Sequence, residues 1–429
     1  MKTTSRVLSA LVGSVLSLSA GMAFASAGLA ESAQQGDRAG VQAMLKGRGA
    51  KVDEPGRDGM TALHWAVQAD DLTMTKALLK AGAAPDLGNR YGITPLWLAA
   101  QNRSPAMVRL LLKAGASARA TLPSGETALM IAGRAGDPVT IKLLIDAGAD
   151  ANASESMLGE TALMWAASEN HPDAIRALVK GGADIDKHSR VLRLAEMNWD
   201  QVGMVSTTLP SGSWTAAMYA ARQNSAEAMA ALIELGAKLD EQDGDGTTAL
   251  SLAIMNQHYD LAATLLVAGA DPKVADRTGT DALFGAVEMV TFRPDVGRPP
   301  RPSADRLKAK DIVGLALKHG ANPNARLIQP TIGRHHAFSD RSLGEGATPL
   351  MKAAKGGDLE TMRLLLAAGA DPALKLVKGD VTVFDIAAGK VSTGAALVGG
   401  RGTKGTANEA MQNLLKEFAG KPAGAGPSS

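Results

Sequence analysis

The densest cluster of chemically capable side chains in the sequence is Arg334-His335-His336, followed by Asp340. Two imidazoles beside a carboxylate could ligate a metal or move a proton. A metal site, however, needs three or four converging ligands, and neighbouring histidines on a loop point in different directions. The cluster therefore reads as a partner contact, with an enzyme or a small-ligand or metal binder built on His335, His336 and Asp340 as the alternative. Asp243-Gly244-Asp245-Gly246 resembles the start of a calcium loop, but the place of its closing bidentate glutamate, counted from Glu241, is taken by Leu252. It reads as a turn. Gly400-Arg401-Gly402-Thr403-Lys404-Gly405 has the glycine spacing of a dinucleotide loop without the strand that should precede it, and reads as a linker. No G-x-S-x-G, H-E-x-x-H or phosphate-loop pattern occurs. The absence of cysteine excludes disulfides, thiolate metal sites and covalent haem attachment. The expectation is a chain with no catalytic residues, no metal and no cofactor.

What would position any such residues is a repeated element. Leucine-rich stretches closed by Gly-Ala recur at Gly82, Gly115, Gly148, Gly182, Gly236, Gly269, Gly320 and Gly369 (Gly182 is the second of a glycine pair). The first three are spaced by 33 residues, Gly182 follows 34 later, and Gly236 and Gly269 are again 33 apart. A period of this length marks a stacked array, because one such unit cannot bury its own apolar face. Each unit opens on Thr before a short stretch of small and apolar residues, as in Thr61-Ala62-Leu63-His64-Trp65-Ala66 and Thr94-Pro95-Leu96-Trp97-Leu98-Ala99. Thr suits a helix N-cap and Pro suits the first helical position. A second stretch, such as Met107 to Leu112, has helical apolar spacing, and the closing Gly suits a left-handed C-cap.

These openings resemble the ankyrin repeat, whose T-P-L-H-x-A signature stands at Thr61 to Ala66 with Ala for Pro and at Thr94 to Ala99 with Trp for His. The resemblance implies an all-α repeat solenoid, curved, with about ten stacked helix-turn-helix units and projecting β-hairpin turns. A capping unit begins near Leu29, and the others open at Gly59, Gly92, Gly125, Gly159, Ser213, Gly246, Gly279, Gly346 and, in degenerate form, Gly379. It also implies a non-enzymatic scaffold that binds a protein partner on its concave face. By the same resemblance, the variable turn and first-helix-end positions that meet a ligand fall on Arg90, Tyr91, Gln101, Asn102, Arg134, Glu169, Trp214, Arg222, Gln223 and Asn256. Arg90, Tyr91, Trp214 and Arg222 are the expected anchors, since aromatic residues and Arg dominate protein interfaces. Trp65, Trp97 and Trp165 are expected in the core between repeats.

Longer intervals mark insertions at about 192–212, 289–307 and 327–344. The second is proline-rich and basic, through Arg298-Pro299-Pro300-Arg301-Pro302, and the third carries His335 and His336. Because both flank the Gly279 unit, that unit is expected to bear one elaborated cationic patch. At the ends, residues 1–27 have the layout of a secretory signal peptide, with Lys2 and Arg6 before an apolar stretch and cleavage sites near Ala25 or Ala27. Residues 28–420 form the solenoid and 421–429 a disordered tail. Without Lys2 and Arg6 the 43 remaining basic residues balance the 43 acidic ones, which argues against nucleic acid or an anionic membrane as partner. A soluble, periplasmic or secreted monomer with no membrane insertion after cleavage is expected.

Overall fold

The computed structural model describes residues 28–47, 49–191, 212–291, 304–329, 343–391 and 408–419. They divide into two compact units, the first ending at residue 156 and including 177–183, the second comprising 157–176 and residues from 184 onward. The signal segment and the tail lie outside the described residues.

In the first unit helices run in pairs: α1 (Leu29–Gln34) with α2 (Arg38–Lys46), α3 (Ala62–Gln68) with α4 (Leu72–Lys80), α5 (Pro95–Gln101) with α6 (Pro105–Lys113), and α7 (Ala128–Ala135) with α8 (Pro138–Asp146). The first helix of each pair is the inner one, and α1, α3, α5 and α7 pack in succession while α2, α4, α6 and α8 form an outer row. Thr61, Thr94 and Thr127 cap the inner helices by accepting the backbone N–H of His64, Trp97 and Met130. Asp71, Ser104 and Asp137 cap the outer ones. Alanines 62, 66, 99, 100 and 132 are fully buried, which lets inner helices approach closely while Leu63, Leu96, Leu129, Leu78 and Leu111 fill the space between rows. Each such leucine contributes about 1.5–3 kcal/mol on burial.

His64 ties one repeat to the next. It has no exposed surface; its Nε2–H donates to the Ile93 carbonyl at 2.9 Å, and its Nδ1 accepts the Thr61 N–H at 3.2 Å. Burial pushes its pKa below the usual 6.5, so the ring is held neutral. Turn tips stack in the same nearest-neighbour way. Gly92 has φ +81°, and a Cβ there would lie 2.7 Å from Pro123 Cδ, so the position needs glycine twice over.

The second unit continues with α9 (Ala162–Ser168), α10 (Pro172–Lys180), through which the boundary passes, α11 (Ala216–Gln223), α12 (Ala226–Glu234), α13 (Ala249–Met255), α14 (Tyr259–Val267), α15 (Ala282–Val290), α16 (Ala309–Lys318), α17 (Pro349–Gly356), α18 (Leu359–Ala367), α19 (Val383–Ala387) and α20 (Glu409–Phe418). Its inner row is α9, α11, α13, α15, α17 and α19, each packed on the next. The first insertion does not interrupt this stacking. Asn170 Oδ1 accepts the Ala228 N–H at 2.9 Å and Ser225 Oγ donates to the Ser168 carbonyl at 3.0 Å, across 57 or 58 residues of sequence.

One expectation needs correction. Among the described residues there are no β-strands; the turns carry only three isolated antiparallel bridges, at Thr121–Thr127, Val191–Gly212 and Lys375–Thr382. Each tip turns back within a few residues and stacks on its neighbour's backbone, so no ladder can extend. The second and third insertions flank the Gly279 unit from roots at opposite ends of α15, and the residues of the expected cationic patch lie outside the described residues. The second leaves the C-terminal end of α15 after Thr291, and its return limb is held where Asp260 accepts the Arg306 and Leu307 N–H groups at 3.2 and 3.1 Å. The third leaves beside Gly279 at the opposite end of α15, where the Ile328 N–H donates to the Thr278 carbonyl at 2.8 Å and Leu327 pairs with Gly346 and Ala347. The inserted segments themselves, 192–211, 292–303 and 330–342, lie outside the described residues.

Two features of the second unit generate tests. Asp281 replaces the capping Thr on α15, is 2% exposed, and has its pKa pushed up to about 6 chiefly by burial. A carboxyl raised above its unfolded value makes the fold gain stability as pH falls from above 6 toward 3.8, and lose it in the other direction. Asp281→Thr keeps the cap without the buried charge, so it should stabilise the unit by about 1–3 kcal/mol at pH 7.5 and by much less near pH 4.5. Denaturant unfolding of variant and wild type at both pH values measures the difference. Lys352 of α17 meets Glu288 of α15 at 3.1 Å, with the two side chains 10% and 20% exposed. Glu288→Gln should cost roughly 2–4 kcal/mol by weakening the pairing of a nearly buried ammonium, while Glu288→Leu combined with Lys352→Met should recover most of that loss in the same unfolding assay.

Candidate partner-binding faces

On the first unit the expected contact residues are at the surface but engaged. Arg90 Nε donates to the Asp58 carbonyl at 2.6 Å and its Nη2 to that of Arg57, which fixes it to the preceding turn. Its guanidinium lies 5.9 Å from the Tyr91 ring centroid, and Tyr91 is 64% exposed. Gln101 is exposed at the end of α5. Asn102, its C-cap, donates through Nδ2 to the Val67 and Gln68 carbonyls, both at 3.0 Å, and thereby closes the end of α3. Arg134 is exposed in the last turn of α7. Arg90 and Asn102 thus carry structural bonds that the sequence pattern did not separate from contact roles.

On the second unit Glu169 is the exposed C-cap of α9, Arg222 and Gln223 are exposed at the end of α11, and Asn256 is a half-buried C-cap of α13 whose Nδ2 donates to the Leu252 carbonyl at 2.8 Å. Trp214 is a correction. It does not project toward a ligand: it is 5% exposed, its Nε1–H donates to Asp243 Oδ2 at 3.1 Å, and its N–H donates to Ser189 Oγ at 2.8 Å. Tyr219 meets its ring edge-on at 5.3 Å, and the Arg222 guanidinium lies over it at 5.1 Å from the centroid. Trp214 is the floor of this face rather than its anchor.

Conversely, Trp165 is half-buried instead of sealed in the core, as is Trp65; Trp97 alone of the three is buried. Trp165 Nε1–H donates to Glu160 Oε2 at 2.7 Å. The Tyr219 hydroxyl bonds to the same carboxyl group, and burial followed by Glu160 raises its pKa well above the usual 10. One carboxylate thus holds the polar tips of two rings from adjacent inner helices and leaves their faces half-open. Sequence reasoning missed Glu160, Trp165 and Tyr219 as a group. The signal was the fifth residue of each opening, which varies through Trp65, Leu98, Ile131, Trp165, Tyr219, Leu252, Gly285 and Lys352 while the residue after it is always alanine.

Chemically capable groups in this unit have structural employment. Ser213, His188 and Glu241 form a row, with His188 Nδ1 3.1 Å from Ser213 Oγ and Nε2 3.1 Å from Glu241. Nδ1 is also 2.7 Å from the Ser213 carbonyl oxygen, which can only accept. Nδ1 therefore carries the proton and cannot take one from the hydroxyl, so the row is a clamp on the turn and not an activated nucleophile. Asp243 of the calcium-like stretch spends Oδ1 on the Asp245 and Thr247 N–H groups, at 2.9 and 2.7 Å, and Oδ2 on Trp214. That confirms the turn. Among the described residues no group of His, Asp and Glu is placed to hold a metal. His335, His336 and Asp340 lie outside the described residues, as does the Gly400–Gly405 stretch.

Comparison with known proteins decides the family. The model for "Ankyrin repeats (3 copies)" matches residues 29–121, 114–189 and 191–276, and that for "Ankyrin repeat" matches 345–375. The chain belongs to the ankyrin-repeat family. Ankyrin repeats generally mediate protein–protein interaction, and their scaffolds are typically non-enzymatic. A zebrafish (Danio rerio) relative, "Ankyrin repeat and SAM domain-containing protein 6", is 32% identical over 163 residues, covering 36% of this chain and 21% of the relative. The ankyrin repeat domain of human ASB11 is similar in structure, with a TM-score of 0.46 and 24% identity over 57% of this chain and 99% of that one. No helix among the described residues of this ankyrin protein is long and apolar enough to cross a membrane.

The shared carboxylate makes a specific prediction. Glu160→Ala removes the acceptor of both rings, so the Tyr219 pKa should move back toward 10, read in the tyrosinate absorbance against a Tyr219→Phe control. The loss of stability should be about 1–3 kcal/mol, because the polar tips of Trp165 and Tyr219 lose the carboxylate they share in a half-buried site.

Proposed function

We propose that this ankyrin protein is an exported, periplasmic or secreted scaffold that binds a protein partner through the inner-helix face of its second unit, with the inserted loops adding contacts. The observation that carries the binding face is the pair of half-open rings, Trp165 and Tyr219, whose orientation is set in advance by Glu160. Fixing an aromatic side chain before association removes part of the entropy that binding would otherwise cost. An indole left half-open between alanine-rich helices contributes less to the fold than a sealed one, and aromatic residues of this kind act as interface anchors. Arg222, Gln223, Glu169 and Asn256 rim the same helix ends. On the first unit Tyr91, Gln101 and Arg134 supply further exposed contacts. Export rests on the basic and apolar pattern of residues 1–27.

The test combines location with capture. Fractionation of cells expressing the full chain should find the protein outside the cytoplasm and shortened at its N-terminus near Ala25 or Ala27. Chemical crosslinking followed by affinity capture from that compartment should recover a partner with wild type and lose most of it with Trp165→Ala plus Tyr219→Ala, while Tm falls by only a few degrees. Equal recovery from the double variant refutes this face. Retention in the cytoplasm at full length refutes export.

A further inference from the structure

Several cations of this unit are held in ion pairs. Arg176 is paired with Asp173 and Glu234, Arg277 with Asp245, and Lys238 with Asp186 and Glu241. Among the described residues no ion pair or hydrogen bond engages the Arg222 guanidinium, whose Cζ lies over the Trp214 ring at 5.1 Å from the centroid. Glu169, at the end of the neighbouring inner helix, forms no salt bridge with it among the described residues, and Glu160 is already shared by Trp165 and Tyr219. Trp214 is itself held, with its Nε1–H and backbone N–H bonded to Asp243 and Ser189 and its ring meeting Tyr219 edge-on.

A guanidinium over an aromatic ring, with no hydrogen-bond acceptor among the described residues, keeps its N–H groups available. Five donors in a rigid planar fork match the two oxygens of a carboxylate, and such bidentate bonds are stronger than neutral ones. Stacking on a fixed indole also removes part of the rotamer freedom that an exposed arginine would lose on binding. The half-open faces of Trp165 and Tyr219 belong to the same pair of adjacent inner helices, α9 and α11. We infer that this surface recognises an acidic peptide segment of the partner: an Asp or Glu carboxylate received by Arg222, with an adjoining apolar side chain laid on Trp165 and Tyr219. The inference rests on the proposed binding face and adds to it the chemistry of the occupant. Charge complementarity selects the acid, because the Arg222 guanidinium is a strong donor that lacks an internal acceptor among the described residues.

The experiment uses a phage-displayed library of random twelve-residue peptides, selected against the mature full chain and against Arg222→Gln, Arg222→Lys and Trp165→Ala, each shown by circular dichroism and thermal melting to be folded. Wild type should enrich peptides with Asp or Glu next to an apolar residue. Synthetic copies of those peptides should bind Arg222→Gln at least tenfold more weakly and bind Arg222→Lys with intermediate affinity, since a lysine keeps the charge without the fork. Replacing the acid by its amide should weaken binding to wild type but leave binding to Arg222→Gln unchanged. Peptides that lack an enriched acid but lose affinity with Trp165→Ala would overturn the carboxylate inference and leave the binding face standing. Peptides indifferent to both Arg222→Gln and Trp165→Ala, or no enrichment over a bare-support control, would overturn both.

Discussion

The whole structure depends on one constraint: no inner helix here can hold itself together. The inner helices are five to nine residues long, below the length at which a helix is stable alone in water, so each exists only because its neighbours cover it. The devices that recur along the chain serve that end. Alanines are placed where helix backbones meet, Thr or Asp satisfies the free N–H groups at helix starts, and polar side chains reach from one repeat to the carbonyls of the next, as His64 does to Ile93 and Asn102 to Val67. Each device is local. Stability then adds up repeat by repeat, and the surfaces not consumed by stacking are free to vary.

That division explains what was legible in the sequence. Burial between repeats imposes a strict period, so the Thr openings, the Gly-Ala endings and the helix pairs could be read from spacing alone, and every Thr expected to cap an inner helix does so. The candidate site was legible only in part, because exposure at a given repeat position depends on the neighbouring repeat. Trp214 stands at a turn, where position suggested a projecting ring, yet Ser189 and Asp243 from the turns on either side take its two N–H groups and draw it inward. Trp165 stands in a helix, where position suggested a sealed core, yet Glu160 tethers its indole at the half-exposed edge. The partners of Trp214 come from other turns, and Glu160 stands just before the Thr opening of its own repeat, at a position the periodicity leaves free to vary.

The insertions obey the same constraint from the other side. Extra residues can enter only where the chain is not stacking helix on helix, and two of the three described roots are turn tips: Val191 and Gly212 bridge the first, and Leu327 with Gly346 and Ala347 closes the third. The second instead separates the two helices of one repeat, a connection that elsewhere takes only a few residues. There the return limb is held by Asp260, whose pKa is lowered by the Leu307 and Arg306 N–H groups against its partial burial. A charged carboxylate accepting backbone N–H groups is a strong tether, and it keeps α16 in the outer row despite the longer path from α15.

Insertion and aromatic face meet at one place. The root of the first insertion runs through Val191, Gly212 and Ser213, and the next residue is Trp214, the floor under Arg222. Ser213 is left-handed, with φ +62°, an arrangement that costs about 1 kcal/mol for a residue with a side chain. The His188 clamp on its carbonyl offsets that cost. Strain of this kind persists only where surrounding bonds over-determine it. Here they do: a clamp on Ser213 fixes the start of Trp214, the Ser189 and Asp243 bonds fix its backbone and ring, and the ring lies against the Arg222 guanidinium. The chain of constraint runs from the root of an insertion to the orientation of a surface cation through three consecutive side-chain contacts, without engaging the outer helices. A repeat stack can therefore acquire a specific site by rigidifying its turns, while the helices beneath keep the packing that every other repeat requires.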